Sequence, residues 1–159
     1  MSDYVKLLQD TPIFGAVQSE ALQFIVDRAM VRHLPKGEFL FAEGELASSM
    51  FVLVNGRVAI SRSWQGVNYK LRELGKGDCV GEMALLACSV RSASVYTLQA
   101  STILEISNHV LADVYQEFPE SYTIIVMNMG REVCRRLENA DRRLFLQQRS
   151  QQTPSDALA

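Results

Sequence analysis

Between Val80 and Val95 the chain runs Val-Gly-Glu-Met-Ala-Leu-Leu-Ala-Cys-Ser-Val-Arg-Ser-Ala-Ser-Val, and this stretch concentrates residue types that could handle an anion. Gly81 follows the turn-rich Gly75-Lys76-Gly77-Asp78 and opens Glu82–Leu86, a run of helix-forming composition. A helix starting there directs free backbone N–H groups and the positive end of its dipole outward, which suits an anion. Glycine, lacking a Cβ, lets the backbone approach a phosphate closely. Arg91, nine residues after Glu82 and at the start of the next expected strand, can add a bidentate guanidinium. Glu82 would repel a phosphate, but as an acceptor it suits a sugar hydroxyl. Together these groups describe a nucleotide monophosphate site. A β-turn with a surface arginine fits the same residues, so spacing alone leaves both readings open.

Other chemistries find little support. The three cysteines, Cys79, Cys88 and Cys134, form no CxxC pair, and their odd number with no secretion signal reads as buried or idle thiols. His33 and His109 stand far apart and neither sits in an HxxxH or HExxH setting. Hydrolysis of a phosphate ester would want a metal cluster or a placed general base, and this inventory offers neither. Sixteen Lys+Arg against eighteen Asp+Glu give a net charge of -2, which argues against a globally basic nucleic-acid binder. No apolar run approaches the ~20 residues that cross a bilayer. MSDYVKLLQDTP is charged where a signal peptide needs its apolar stretch, so a cytoplasmic chain is expected. At 159 residues and 48% hydrophobic content there is material for one core and one domain.

The elements that must position Gly81, Glu82 and Arg91 follow from periodicity. Asp3–Gln9 reads as a short helix stopped at Asp10-Thr11-Pro12. Leu22, Ile25, Val26 and Ala29 recur at helical spacing, giving an amphipathic helix over Ser19–Ala29 with Ser19 as its cap. From about Val31 the rhythm changes to short apolar or alternating runs separated by glycines. Phe39–Phe41, Met50–Val54, Arg57–Ser61, Asn68–Leu71, Arg91–Leu98 and Thr102–Ile106 each fit a strand, and their spacing argues for a compact β-roll. Helix returns at Asn108–Glu117, between a Ser107 cap and Pro119. A second helix runs from Tyr122 to about Leu146, some 37 Å, with Val126, Met129, Val133, Leu137, Ala140 and Leu144 in a near-heptad stripe. That stripe must be buried on the roll, on a second copy, or on both in succession. The polar segment from Gln147 is expected to fray.

The Gly81-to-Val95 segment resembles the phosphate-binding cassette of cyclic nucleotide-binding domains. That family's pattern, apolar-Gly-Glu-x-Ala/Gly-apolar, a spacer, then Arg-Ser/Thr/Ala-Ala-x-apolar, is matched by Gly81, Glu82, Ala84, Leu85, Arg91, Ser92, Ala93 and Val95. Lys36-Gly37-Glu38 through Gly44-Glu45, and Phe51-Val52-Leu53-Val54-Asn55-Gly56, resemble its strand-and-turn pattern, and the likeness runs from about Tyr4 to Leu144. The resemblance implies that Glu82 accepts from the ribose 2′-hydroxyl, that the N–H groups of Met83 and Ala84 face the cyclic phosphate, and that Arg91, with Ser92, pairs with the exocyclic oxygens. Val58, Leu71 and Val80 match apolar positions that wall sugar and base; for Val58 and Leu71 plain roll core fits equally. The resemblance implies that base contacts come from the long helix near Asn139 and Asp141, where Ala140 stands in place of a threonine found in the family. Serine rather than threonine after the arginine leans to cyclic AMP.

The expected protein is therefore α+β: an antiparallel, jelly-roll-like β-roll over residues 31–106, N-terminal helices over 3–29, C-terminal helices over 108–146, and a disordered tail over 147–159. Its expected role is a stand-alone cyclic nucleotide receptor with cyclic AMP as ligand, cyclic GMP as the alternative, and no cofactor, metal or catalysis. It would signal by repositioning the C-terminal helix toward a protein partner or a homodimer mate, without direct DNA binding or membrane association. A module that keeps the fold without binding nucleotide is the competing reading.

Overall fold

The computed structural model describes residues 3–151. Two N-terminal helices, α1 (Asp3–Asp10) and α2 (Ser19–Arg28), are joined through a 3₁₀ turn at Pro12–Phe14. The eight strands are β1 (Met30–Leu34), β2 (Phe39–Phe41), β3 (Ser49–Asn55), β4 (Val58–Trp64), β5 (Val67–Leu74), β6 (Cys79–Val80), β7 (Ser94–Thr97) and β8 (Ser101–Ser107). They form two four-stranded antiparallel sheets, ordered β1-β8-β3-β6 and β2-β7-β4-β5. The short helix α3 (Glu82–Leu86) interrupts the roll, and α4 (Asn108–Glu117) and α5 (Pro119–Gln151) follow it.

In the sheet β1-β8-β3-β6 the inner strand β3 is buried on both faces, which explains the unbroken apolar run Met50–Val54, whereas the edge strand β1 is largely exposed. Strand side chains alternate, so Phe51 and Leu53 join Leu40, Phe41, Val58, Ile60, Val95 and Ile103 inside the roll. Met50 and Val52 point the other way and, with Leu104 and Ile106, meet Leu8, Phe14, Leu22, Ile25, Val110, Val114, Ile125 and Met129 of the helices. Strands covered on both faces read as continuous hydrophobic runs, and β3 is the clearest case here.

Most expected elements lie within a few residues of the observed ones, and the departures have local causes. Ser107 caps α4 as expected, its hydroxyl accepting from the Val110 N–H at 3.3 Å. Ser19 does not cap α2: the cap position is Gln18, with no side-chain bond, and the Ser19 hydroxyl instead accepts from Gln9. Arg91 precedes β7 rather than opening it. Its N–H donates to Glu45 O at 2.8 Å and its carbonyl accepts from Gly44 N at 2.9 Å, which ties it to the Gly44 turn instead of the β7 ladder. Strands β1 and β6 add to the six expected strands. The helix expected to end at Leu146 continues to Gln151, and residues 152–159 of the expected tail lie outside the described residues. Losing a cap bond costs about 1 kcal/mol. Ser107→Ala should therefore lower unfolding free energy by about that amount in chemical denaturation, and Ser19→Ala by clearly less.

Candidate functional site

The site forms where β6 breaks into α3. Gly81 adopts φ +88, a left-handed conformation that L side chains avoid, and a Cβ there would lie 2.7 Å from Arg91 Nη1. Only glycine meets both demands. The turn that follows carries Glu82 inward to 0% exposure, and Arg91 arrives from the opposite side at 4%.

Arg91 is held by the backbone. Nη1 donates to Gly81 O at 2.9 Å and Nη2 to Ser49 O at 2.7 Å, while its guanidinium carbon lies 4.1 Å from the Phe41 ring centroid. Stacking on Phe41 and Phe51 covers one face of the cation with the ring quadrupole. Burial lowers the Arg91 pKa, countered by Glu45, Glu105 and Glu82.

Glu82 is held by a side chain that sequence reasoning did not assign. Arg136 of α5 reaches into the roll, where Nη1 pairs with Glu82 Oε1 and Nη2 donates to Cys79 O at 3.1 Å. Its signal was present in the sequence. Met129, Val133 and Arg136 recur at spacings of four and three, so a charged residue lies on the stripe that must face inward. Arg72 of β5 is a second addition. Burial and then Arg136 lower its pKa, Glu82 raises it and Arg143 lowers it again. Burial pushes the neighbouring Cys79 thiol well above its ordinary range, with Glu82 adding to the effect, so it stays a neutral core group.

These residues enclose a cavity of about 70 Å³ lined by Val80, Gly81, Glu82, Met83, Ala84, Arg91 and Ser92, together with Phe41, Ile60, Arg72, Ala93, Val95 and Arg136. Seven of the expected site residues are thus brought together. Four are not. Val58 is wholly inside the roll core, paired across the sheet with Leu74 and Thr97. Leu71 is 50% exposed because the β4–β5 register shifts between Ile60 and Ser61, which leaves Leu71 without a partner and sets Arg72 opposite Ile60. The bulge gives the wall position to Arg72. Asn139 and Asp141 sit on the exposed part of α5, beyond the last turn that touches the roll. Among the described residues, two fully buried side-chain atoms of the cavity lack partners: the carboxylate oxygen Glu82 Oε2 and the guanidinium nitrogen Arg91 Nε. Buried polar atoms are nearly always satisfied, so this acceptor and this donor mark what the site lacks.

A sequence profile described as cyclic nucleotide-binding domain matches residues 31–118, more than half of the chain. The chain belongs to the cyclic nucleotide-binding domain family. The catabolite activator protein of Thermus thermophilus superposes with a TM-score of 0.75 at 26% identity, over 87% of this chain and 63% of that one. A cAMP-dependent protein kinase regulatory subunit of Mycosarcoma maydis is 33% identical over 92 residues, 58% of this chain and 18% of that protein. Mouse cGMP-dependent protein kinase 2 is 30% identical over 95 residues, 58% of this chain and 12% of its own length. The first relatives, NTE family proteins of mycobacteria, share 26% identity over 78% of this chain, which spans only 21% of their length. The cassette motif, the two antiparallel sheets and the flanking helices all agree with this family, whose domain is a binding and regulatory fold. No helix among the described residues is long and apolar enough to cross a membrane.

Removing one partner of a buried ion pair typically costs 3–5 kcal/mol, because the other charge stays buried and unpaired. Arg136→Met should lower stability by about 3 kcal/mol in urea denaturation. Adding Glu82→Gln to that variant should restore most of the loss, since the stranded charge is then gone.

Proposed function

We propose that the protein is a non-catalytic receptor for a cyclic mononucleotide, with cyclic AMP as its ligand. The observation that carries this reading is the unpartnered pair in the cavity. Glu82 Oε2 needs a hydroxyl donor and Arg91 Nε needs an anionic acceptor. A ribose 2′-hydroxyl and an exocyclic phosphate oxygen supply one of each. Gly81, Met83 and Ala84 line the same cavity at the start of α3, where the first N–H groups have no acceptor within the helix. Ser92 at the rim adds a further donor, and Val80 an apolar wall. Arg136 has a defined part: it neutralises Glu82, so a phosphate can sit near that carboxylate without net repulsion.

A cavity of about 70 Å³ is well below the roughly 300 Å³ at which small-molecule pockets begin. Nucleotide entry therefore requires α3 or α5 to move, and α5 is pinned to the site through Arg136. A ligand shifts such an equilibrium only through its different affinities for the two helix positions. Repositioning of α5, read by a protein partner or a homodimer mate, is the proposed output, with no direct DNA contact and a cytoplasmic setting.

Cyclic GMP is the second reading, favoured by Arg72. Among the described residues no hydrogen bond or ion pair engages its guanidinium, and Arg72 lines the cavity from the β5 side. Such a fork matches the O6 and N7 acceptors of guanine, a pair adenine does not offer. Titration calorimetry with both nucleotides tests the proposal. Micromolar or tighter binding should fall by about 100-fold or more in Arg91→Ala, the equivalent of breaking a buried ion pair. Absence of binding by either nucleotide would leave a protein-interaction module that keeps the fold. Arg72→Ala should leave cyclic AMP affinity nearly unchanged; a selective loss of cyclic GMP binding would assign the base to guanine.

A further inference from the structure

Beyond Arg136 every described residue of α5 is exposed, and the helix carries a second repeat besides the apolar one. Arg131, Arg135, Glu138, Arg142, Phe145 and Arg149 follow one another at spacings of four, three, four, three and four. At about 100° per residue the four arginines fall within about 40° of one another, and their stripe lies nearly opposite Val133, Leu137, Ala140 and Leu144. All six of its positions are exposed. Phe145 and Leu146, at 60% and 45% exposure, flank its lower half. Four arginines against the single acid Glu138 leave a local charge of +3 along some 27 Å of helix.

The helix's own needs do not account for this stripe. The dipole favours cations only in the last turn, which covers Arg149 and none of the others. Arg131 and Arg135 stand four residues apart, where like charges destabilise a helix. These two find local partners: Arg131 donates to Asn128 Oδ1 at 2.9 Å, and Arg135 pairs with Glu132. Among the described residues Arg142 and Arg149 have no hydrogen bond or ion pair, with Glu138 or any other group. Two guanidinium groups beside an exposed aromatic ring are left free.

We propose that this stripe is the docking surface for an acidic helix of another protein, one that carries carboxylates at heptad spacing. The repeat selects the occupant. A helix lying alongside presents its own side chains at intervals of four and three, so it meets every position of the stripe. Each guanidinium can take a carboxylate bidentately, and Phe145 with Leu146 supplies an apolar anchor. A lipid surface fits worse, because immersing the apolar stripe would turn the arginines toward water. A nucleic-acid backbone also fits worse, since Glu138 sits in mid-stripe and the chain carries a net charge of -2. The stripe occupies a different side of α5 from Arg136, so the inference goes beyond the receptor reading and holds whether or not nucleotide binds.

The probe is a synthetic helix of roughly three heptads, made in parallel and antiparallel versions. Glu faces the four arginines, Lys faces Glu138 and Leu faces Phe145. A control peptide keeps the composition but moves the glutamates off that face. Titrated into the full chain at low salt and followed by NMR, the probe should bind with a Kd of about 100 µM or tighter. It should shift signals of Arg131, Arg135, Arg142 and Arg149 while leaving Val133 and Leu137 nearly unmoved. Arg142→Gln with Arg149→Gln, both exposed changes, should weaken binding by about tenfold or more. Equal affinity for the control peptide would reduce the stripe to unspecific charge attraction and overturn helix docking. The proposal also fails if neither version binds, or if duplex DNA or phosphatidylserine vesicles bind more tightly. Cyclic AMP titration of the same double variant should match the parent chain, which keeps a failure here distinct from a failure of the receptor reading.

Discussion

A wholly buried carboxylate is among the costlier things a small domain can hold, and Glu82 obliges three distant parts of the chain to meet around it. Unpaired, its charge would cost several kcal/mol. Its pairing depends on Arg136, which comes from more than fifty residues later and on a different element. The same guanidinium binds Cys79 O, on the strand that delivers Glu82, so the long helix is registered to the roll by directed bonds and not by packing alone. Gly81 completes the constraint from below. Its left-handed backbone turns Glu82 inward and leaves room for Arg91 to pass beneath, held by the Gly81 and Ser49 carbonyls.

The electrostatic balance of this centre is lopsided by design of its neighbours. Glu82 offers one negative charge, and Arg72, Arg91 and Arg136 surround the same cavity with three positive ones. Burial makes the imbalance matter more, because charges taken from water interact more strongly. Arg91 meets it with backbone carbonyls and aromatic faces, neither of which neutralises its charge. Among the described residues Arg72 has no hydrogen-bonded partner, and burial and then Arg136 lower its pKa. An anion placed among these groups relieves their mutual repulsion, and a neutral ligand would not.

How much of this was legible in the sequence depended on the range of the forces involved. Strands such as Phe39–Phe41, and helix α4 with its Ser107 cap, are set by residues within a few positions, and they appear where periodicity and turn chemistry place them. The Gly81–Glu82 turn and Arg91 were legible as a motif, and the cavity gathers them. Leu71 turns out exposed because a β-bulge is a register event between two strands, and period-two alternation within β5 cannot reveal it. Asn139 and Asp141 lie outside the cavity because a residue's position along α5 does not show where the helix parts from the roll. Arg136 was overlooked although it lies on the inward stripe. A charge on an apolar stripe reads as a solvated edge until something buried is found to pair with it.

The adjacency of Arg136 and Leu137 gives the helix its mechanical meaning. Neighbouring residues on a helix point about 100° apart, so Arg136 enters the polar site while Leu137 starts the exposed part of the apolar stripe. A helix is stiff over two residues. Any rotation or shift that alters the grip of Arg136 on Glu82 must therefore swing Leu137, and with it Ala140 and Leu144, by a comparable amount. The two surfaces differ in kind: one is a charge pair sensitive to what shares the cavity, the other an apolar seam sensitive to what covers it. Because they share one rigid rod, whatever stabilises one position at the site selects the same position at the seam, and the reverse holds equally by linkage. In the receptor reading proposed above, this rod would couple ligand and helix cover in both directions without a path through the core.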